Sequence, residues 1–135
     1  MVARATSQPG ASWVHGPRVL IVEDDDGIRG LFERVFSTGG YVVQSVSDGV
    51  EALRLLEGHA PDLVVLDLML PWVNGIEVLV TVRKQPQLTN VPVLVATGSA
   101  TSAYDLREFG PLLVLHKPFP LAALLPTANK LLSRM

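Results

Sequence analysis

Pro61-Asp62-Leu63-Val64-Val65-Leu66-Asp67-Leu68-Met69-Leu70-Pro71 is the stretch that decides how this chain is read. Leu63 to Leu66 are apolar without alternation, the pattern of a strand buried on both faces of a parallel sheet. The run then presents a carboxylate and stops at a proline. Open α/β sheets place their sites at the carboxyl ends of the strands, so Asp67 is the first candidate for chemistry. An aspartate that only caps a turn would look the same locally. The rest of the chain weighs between the two.

At 135 residues with 48% hydrophobic content the chain can bury one good core and is too short for two ordinary domains. A net charge of -2 gives no field strong enough to attract nucleic acid or an anionic membrane, so direct binding to either is not expected. There is no cysteine, which excludes disulfides, thiolate metal sites and cysteine nucleophiles and fits a reducing compartment. Apolar runs such as Leu112 to Leu115 are too short to cross a bilayer, and the N-terminus lacks a signal-peptide apolar region. A soluble, cytoplasmic protein is the expectation.

Residues 1–17 mix Ala, Ser, Gln, Pro and Gly without periodicity and read as a flexible leader; residues 18–135 read as one domain. Arg18 to Val22 is a first strand, followed by four acids, Glu23 to Asp26. A helix follows, with Ile28, Leu31, Phe32, Val35 and Phe36 on one apolar face and Gly39-Gly40 ending it. Tyr41 to Val46 is a second strand, and Asp48 with Glu51 has the spacing of a capping box for a helix that turns Leu53 and Leu56 inward. After the strand that ends at Asp67, Asn74 and Glu77 cap a third helix traced by Ile76, Leu79, Val80 and Arg83. Val91 to Ala96 is a fourth strand. Ser102 to Phe109 offers barely two helical turns before Gly110-Pro111 breaks them. Leu112 to Leu115 is a fifth strand, and Leu121, Leu124, Leu125, Ala128, Leu131 and Leu132 share a face of a last helix, in which Pro126 predicts a kink or a restarted turn.

Strands alternating with helices require right-handed crossovers, hence an α/β, doubly wound five-stranded parallel sheet with helices on both faces. The flavodoxin-like order 2-1-3-4-5 places the switch point between the first and third strands and brings Glu23, Asp24 and Asp67 together. Three converging carboxylates repel unless a cation sits among them, and Mg²⁺ takes such hard oxygen ligands together with a phosphate oxygen. Thr97 and Lys117 follow the fourth and fifth strands. A hydroxyl and an ammonium beside a divalent cation are what a transferring phosphoryl group requires, and Asp67 would be the nucleophile. Singly, each residue has a plain reading: acids favour helix N-termini, Thr97 suits a turn and Lys117 a surface. Jointly, four strands end in the groups that one reaction needs. The histidines, His15, His59 and His116, are too dispersed to form a metal set.

Val19-Leu20-Ile21-Val22-Glu23-Asp24-Asp25, the run from Pro61 to Pro71 with Asn74-Gly75 after it, Pro92 to Thr97, and His116-Lys117-Pro118-Phe119 together resemble the receiver domain of two-component response regulators. The resemblance covers about residues 18–132. It implies that Asp67 accepts a phosphoryl group from a histidine kinase or a histidine phosphotransfer protein. It implies that Asp24 binds Mg²⁺ directly, Glu23 through water, and the Met69 carbonyl beside Asp67, while Thr97 and Lys117 contact the phosphoryl oxygens and Lys117-Pro118 is cis. A signalling module rather than an enzyme is expected, undergoing Mg²⁺-dependent self-phosphorylation and autodephosphorylation.

The chain also departs from the family. Receivers carry Tyr or Phe three residues before the lysine, and here that residue is Val114, so switching by a rotating aromatic is not expected. No output domain follows in the sequence given, so either a stand-alone regulator or a receiver cut from a longer chain is expected. A non-phosphorylated pseudo-receiver acting as an interaction scaffold is the second reading. A phosphatase of the haloacid dehalogenase type needs an aspartate where Met69 stands. Trp72, in the loop beside Asp67, either touches a partner or packs on its own loop.

Overall fold

In the computed structural model, residues 15–100 and 103–133 are described, with side chains described except at positions 103 and 104. Most of the expected leader, residues 1–14, lies outside them. The order is β1 (Arg18–Val22), α1 (Asp26–Thr38), β2 (Val42–Val46), α2 (Gly49–Gly58), β3 (Leu63–Leu66), α3 (Gly75–Lys84), a 3₁₀ turn (Pro86–Leu88), β4 (Val93–Thr97) and α4 (Ala103–Leu106). A second 3₁₀ turn (Arg107–Phe109), β5 (Leu112–His116), a third (Leu121–Ala123) and α5 (Leu124–Leu132) complete it. The five strands form one parallel sheet in the order β2-β1-β3-β4-β5, as expected.

β3 is central, and all four of its residues are buried because the pleat sends them alternately into two cores. Leu63 and Val65 join Phe32 and Phe36 of α1 and Leu124, Ala128 and Leu131 of α5. Val64 and Leu66 join Ala52 and Leu56 of α2 and Val78, Leu79 and Val82 of α3. The unbroken apolar run is thus two half-runs, one for each face. Asp48 and Asn74 cap as read, accepting from the Glu51 and Glu77 N–H groups, and Asp25 caps α1 by accepting from Ile28 N–H.

Some finer readings are corrected and others hold. Leu31 is exposed, because α1 buries a narrower stripe centred on Phe32 and Phe36. In α2 Leu56 and Leu53 turn inward as read, Leu53 half-buried against the core, and Gly49 and Ala52 are buried as well. α3 turns Val78, Leu79 and Val82 inward, while Arg83 leaves the apolar phase to donate to the Leu88, Thr89, Val91, Phe109 and Pro111 carbonyls. Of the two outcomes expected at Pro126, the structure has the restarted turn: the 3₁₀ turn at Leu121–Ala123 gives way to α5 at Leu124, so the proline sits in the first turn of the α-helix, where its missing N–H is not needed. The α4 segment is as short as expected.

Candidate functional site

β1, β3, β4 and β5 run in the same direction, so their carboxyl ends share one edge of the sheet. Asp67 N–H donates to the Val22 carbonyl at 3.1 Å, which continues the β1–β3 ladder by one rung and sets Asp67 beside Glu23. Lys117 N–H donates to the Thr97 carbonyl at 2.8 Å and extends the β4–β5 ladder in the same way. The sheet's own register therefore positions all four residues. Gly75 closes the loop after β3: its N–H donates to the Leu68 carbonyl at 2.9 Å, and a Cβ there would lie 2.4 Å from the Asp67 carbonyl oxygen. No residue with a side chain fits that approach without moving the backbone that carries Asp67.

Glu23 is buried and Asp67 is 5% exposed, whereas Asp24 faces solvent. One carboxylate oxygen from each of the three lies within 4.8 Å of the others, the one such acidic cluster among the described residues. The Lys117 ammonium bridges two of them, 2.6 Å from Glu23 Oε1 and 2.9 Å from Asp67 Oδ2. The second oxygens are held by backbone: Asp25 N–H donates to Glu23 Oε2 at 3.1 Å, and Met69 N–H to Asp67 Oδ1 at 2.9 Å. Thr97 is fully buried, and its hydroxyl oxygen accepts from Ser99 N–H at 3.1 Å. The Lys117-Pro118 bond is cis, as the resemblance implied.

Burial pushes the Glu23 carboxyl above its ordinary value, with the Asp67 charge acting in the same sense and the Lys117 and Asp25 hydrogen bonds opposing it. Burial is also the largest influence on Lys117 and would lower it. The hydrogen bonds and charges of Glu23 and Asp67 together outweigh burial and hold the ammonium above the ordinary lysine value. The lysine is a cation fixed among carboxylates, and the set of hard oxygens with one member open to water suits a divalent ion that keeps part of its hydration.

Glu23, Asp24, Asp67, Met69, Thr97 and Lys117, the site residues read from the sequence, all lie at this edge. The bridge from β5 across to Glu23 was not read, because strand order says which ends are adjacent and not how far a lysine stem reaches. Val114 is half-buried and packs on the α2–α3 side of the sheet. Among the described residues no helix is long and apolar enough to cross a membrane.

Residues 19–129 match the family described as the response regulator receiver domain. Response regulator MprA of Mycobacterium sp. (strain KMS) is 38% identical over 117 residues, covering 87% of this chain and 51% of that protein. The transcriptional regulatory protein TcrA of Mycobacterium tuberculosis is 38% identical over 120 residues, covering 87% of this chain and 47% of that one. The chain thus spans about half the length of the curated relatives it matches. Among solved structures, the receiver domain of Francisella response regulator 1452 aligns with a TM-score of 0.78 at 30% identity, covering 88% of this chain and 98% of that one. The chemotaxis response regulator CheY4 of Vibrio cholerae aligns at 0.79 and 29%, covering 85% and 98%. The clustered strand ends, the strand order and a family match across almost all of the described residues have one meaning: the chain belongs to the response regulator receiver family of two-component signal transduction.

Proposed function

We propose that this domain is a phosphoacceptor, a cytoplasmic signalling module whose Asp67 takes a phosphoryl group from a phosphohistidine on a histidine kinase or histidine phosphotransfer protein. The observation that carries the reading is the Lys117 ammonium held 2.6 Å from Glu23 and 2.9 Å from Asp67. A buried carboxylate nucleophile with a cation already at its side needs little rearrangement to meet an incoming anion. One Asp67 carboxylate oxygen forms the new O–P bond as the P–N bond to the donor imidazole breaks, its electron pair leaving on nitrogen. Charge on the equatorial phosphoryl oxygens then meets the Lys117 ammonium and the Thr97 hydroxyl.

Glu23, Asp24 and Asp67 would hold Mg²⁺, with the Met69 carbonyl as a further ligand. Their oxygens are close enough to share one ion, and exposed Asp24 leaves room for water on it. When bound, the ion supplies positive charge for the phosphoryl oxygens. Met69 N–H fixes the Asp67 carboxylate by donating to Oδ1, and so limits its rotation.

Intact mass after incubation with Mg²⁺ and a small acyl-phosphate donor tests the reading. One added phosphoryl group is expected on the wild type and none on Asp67→Asn. No gain from any donor, phosphohistidine proteins included, would refute it. Asp24→Asn should weaken Mg²⁺ binding sharply, and unchanged affinity would remove Asp24 from the ligand set.

A further inference from the structure

The loop between β3 and α3 holds a feature that its own packing does not explain. Its base is closed by the bond from Gly75 N–H to the Leu68 carbonyl, so residues 69–74 form an excursion that begins just after Asp67. Inside it, Val73 N–H donates to the Pro71 carbonyl at 2.8 Å and Trp72 has φ 63°, the one positive value at a non-glycine among the described residues. This is a γ-turn of the positive-φ form, rare and strained, and least favourable for a bulky residue. Strain of this kind persists where function requires it. Here it does not bury the ring, since Trp72 is 83% exposed. Met69 beside it is 62% exposed and Val50 54%. The first turn of α2 abuts the loop, a Cβ on Gly49 lying 2.5 Å from the Val73 carbonyl oxygen.

The rim also carries charge. Asp24 and Asp25 are exposed, while Asp26 is paired with Arg29 at 2.6 Å. The mouth of the Asp67 site is therefore flanked by apolar side chains on the β3–α3 loop and by acids at the start of α1.

We infer that Trp72, on the loop that also exposes Met69 and abuts the start of α2 where Val50 is exposed, is the docking point for the protein that delivers the phosphoryl group. The donor surface then offers an apolar depression for the indole, with a lysine or arginine side chain alongside for Asp25. The inference rests on the phosphoacceptor reading of Asp67. Asp67 is 5% exposed and stands at the carboxyl edge of the sheet, two residues before this loop's excursion begins. A small donor enters without touching the ring, but a macromolecule that seats its phosphohistidine there covers the loop. An aromatic side chain in a desolvated pocket with charges on the rim is how interfaces concentrate binding and steer approach.

The test compares two donors on the full chain: acetyl phosphate, and the autophosphorylated histidine kinases and phosphotransfer proteins encoded in the same genome. Wild type, Trp72→Phe, Trp72→Ala and Trp72→Gly are assayed with each. With acetyl phosphate and Mg²⁺, all four should label at rates within about twofold of one another, a difference too small to count as a lost contact. With the fastest protein donor, the second-order rate constant should fall roughly 30-fold in the Ala and Gly variants, the effect of one lost hot spot, and be largely restored in Phe. Trp72→Gly relieves the positive φ, so a loss there is not a loss of folding. The inference is overturned if protein donors do not distinguish wild type from Ala and Gly, if both donors lose equally, or if acetyl phosphate labels the wild type and no protein donor does. If acetyl phosphate fails to label the wild type as well, it is the phosphoacceptor reading that has failed.

Discussion

Replacing Arg83 by methionine keeps the volume of the stem and removes the guanidinium, and the structure says what that removal breaks. Nε donates to the Phe109 carbonyl, Nη2 to Pro111 at 3.1 Å, and Nη1 to Val91 at 2.7 Å, with longer contacts to Thr89 and Leu88. Nη1 has two hydrogens for three acceptors, so about three well-formed bonds are at stake. A hydrogen bond to a charged donor contributes roughly 1.5–3 kcal/mol. Burial opposes them and lowers the Arg83 pKa, and some freed carbonyls will find water. The expected loss is therefore about 3 kcal/mol, below the roughly 4.5 kcal/mol that three such bonds would sum to at their weakest, because burial and water offset part of them. Urea unfolding should show it as a lower midpoint at unchanged slope. Arg83→Lys should recover little, because a single ammonium cannot span carbonyls on both sides. Gly110 provides a second check: with φ 83° and a Cβ that would fall 2.7 Å from Arg83 Nε, Gly110→Ala should be less damaging in the methionine background than in the wild type. A loss below about 1 kcal/mol for Arg83→Met would refute the reasoning, since that is the scale of an ordinary surface change.

Two further outcomes follow from buried polar groups. Tyr41, whose hydroxyl donates to Asn129 Oδ1 at 2.7 Å, is pushed up to about 12 by burial and, secondarily, by Asp62. A raised folded-state pKa means its contribution is complete below the unfolded value near 10 and is lost as pH rises through about 12. Stability should fall by roughly 2–3 kcal/mol across that window in wild type and clearly less in Tyr41→Phe, with phenolate absorbance marking the step. Lys117→Met leaves the Glu23 and Asp67 carboxylates facing each other unpaired, and roughly 3 kcal/mol should be lost in the presence of chelator. Saturating Mg²⁺ should recover part of that loss, and melting temperatures that do not respond to Mg²⁺ would contradict the carboxylate cluster as its site.

The residues at the strand ends were legible because sheet periodicity and chain order place them, and neither depends on side-chain detail. Leu63 to Leu66 had to be a strand buried on both faces, and the order of the sheet followed from the alternation and from where functional groups ended their strands. What escaped was set by contacts between segments far apart in sequence. Arg83 falls on a helical phase that also suits an apolar residue, and only carbonyls delivered from residues 88–91 and 109–111 turn it into a clamp. Leu31 lies about 100° round α1 from Phe32, at the edge of the apolar stripe, and the part that packs on the sheet is centred on Phe32 and Phe36. The positive φ at Trp72 lies inside the excursion closed between Leu68 and Gly75, and no side-chain pattern announces it.

The brevity of α4 has a consequence for motion. Four residues cannot hold a helix by their own hydrogen bonds, and the adjoining 3₁₀ turn ends at a glycine in positive φ. Beyond them β5 is the outermost strand, with Leu113, Val114 and Leu115 only half covered. This corner should open locally at a fraction of the global unfolding free energy, its amides exchanging with solvent well before those of β1 and β3. β5 leads directly to Lys117, so excursions of this corner would carry the ammonium away from its two carboxylates. The pace at which the corner opens would then limit how often the lysine is away from Asp67.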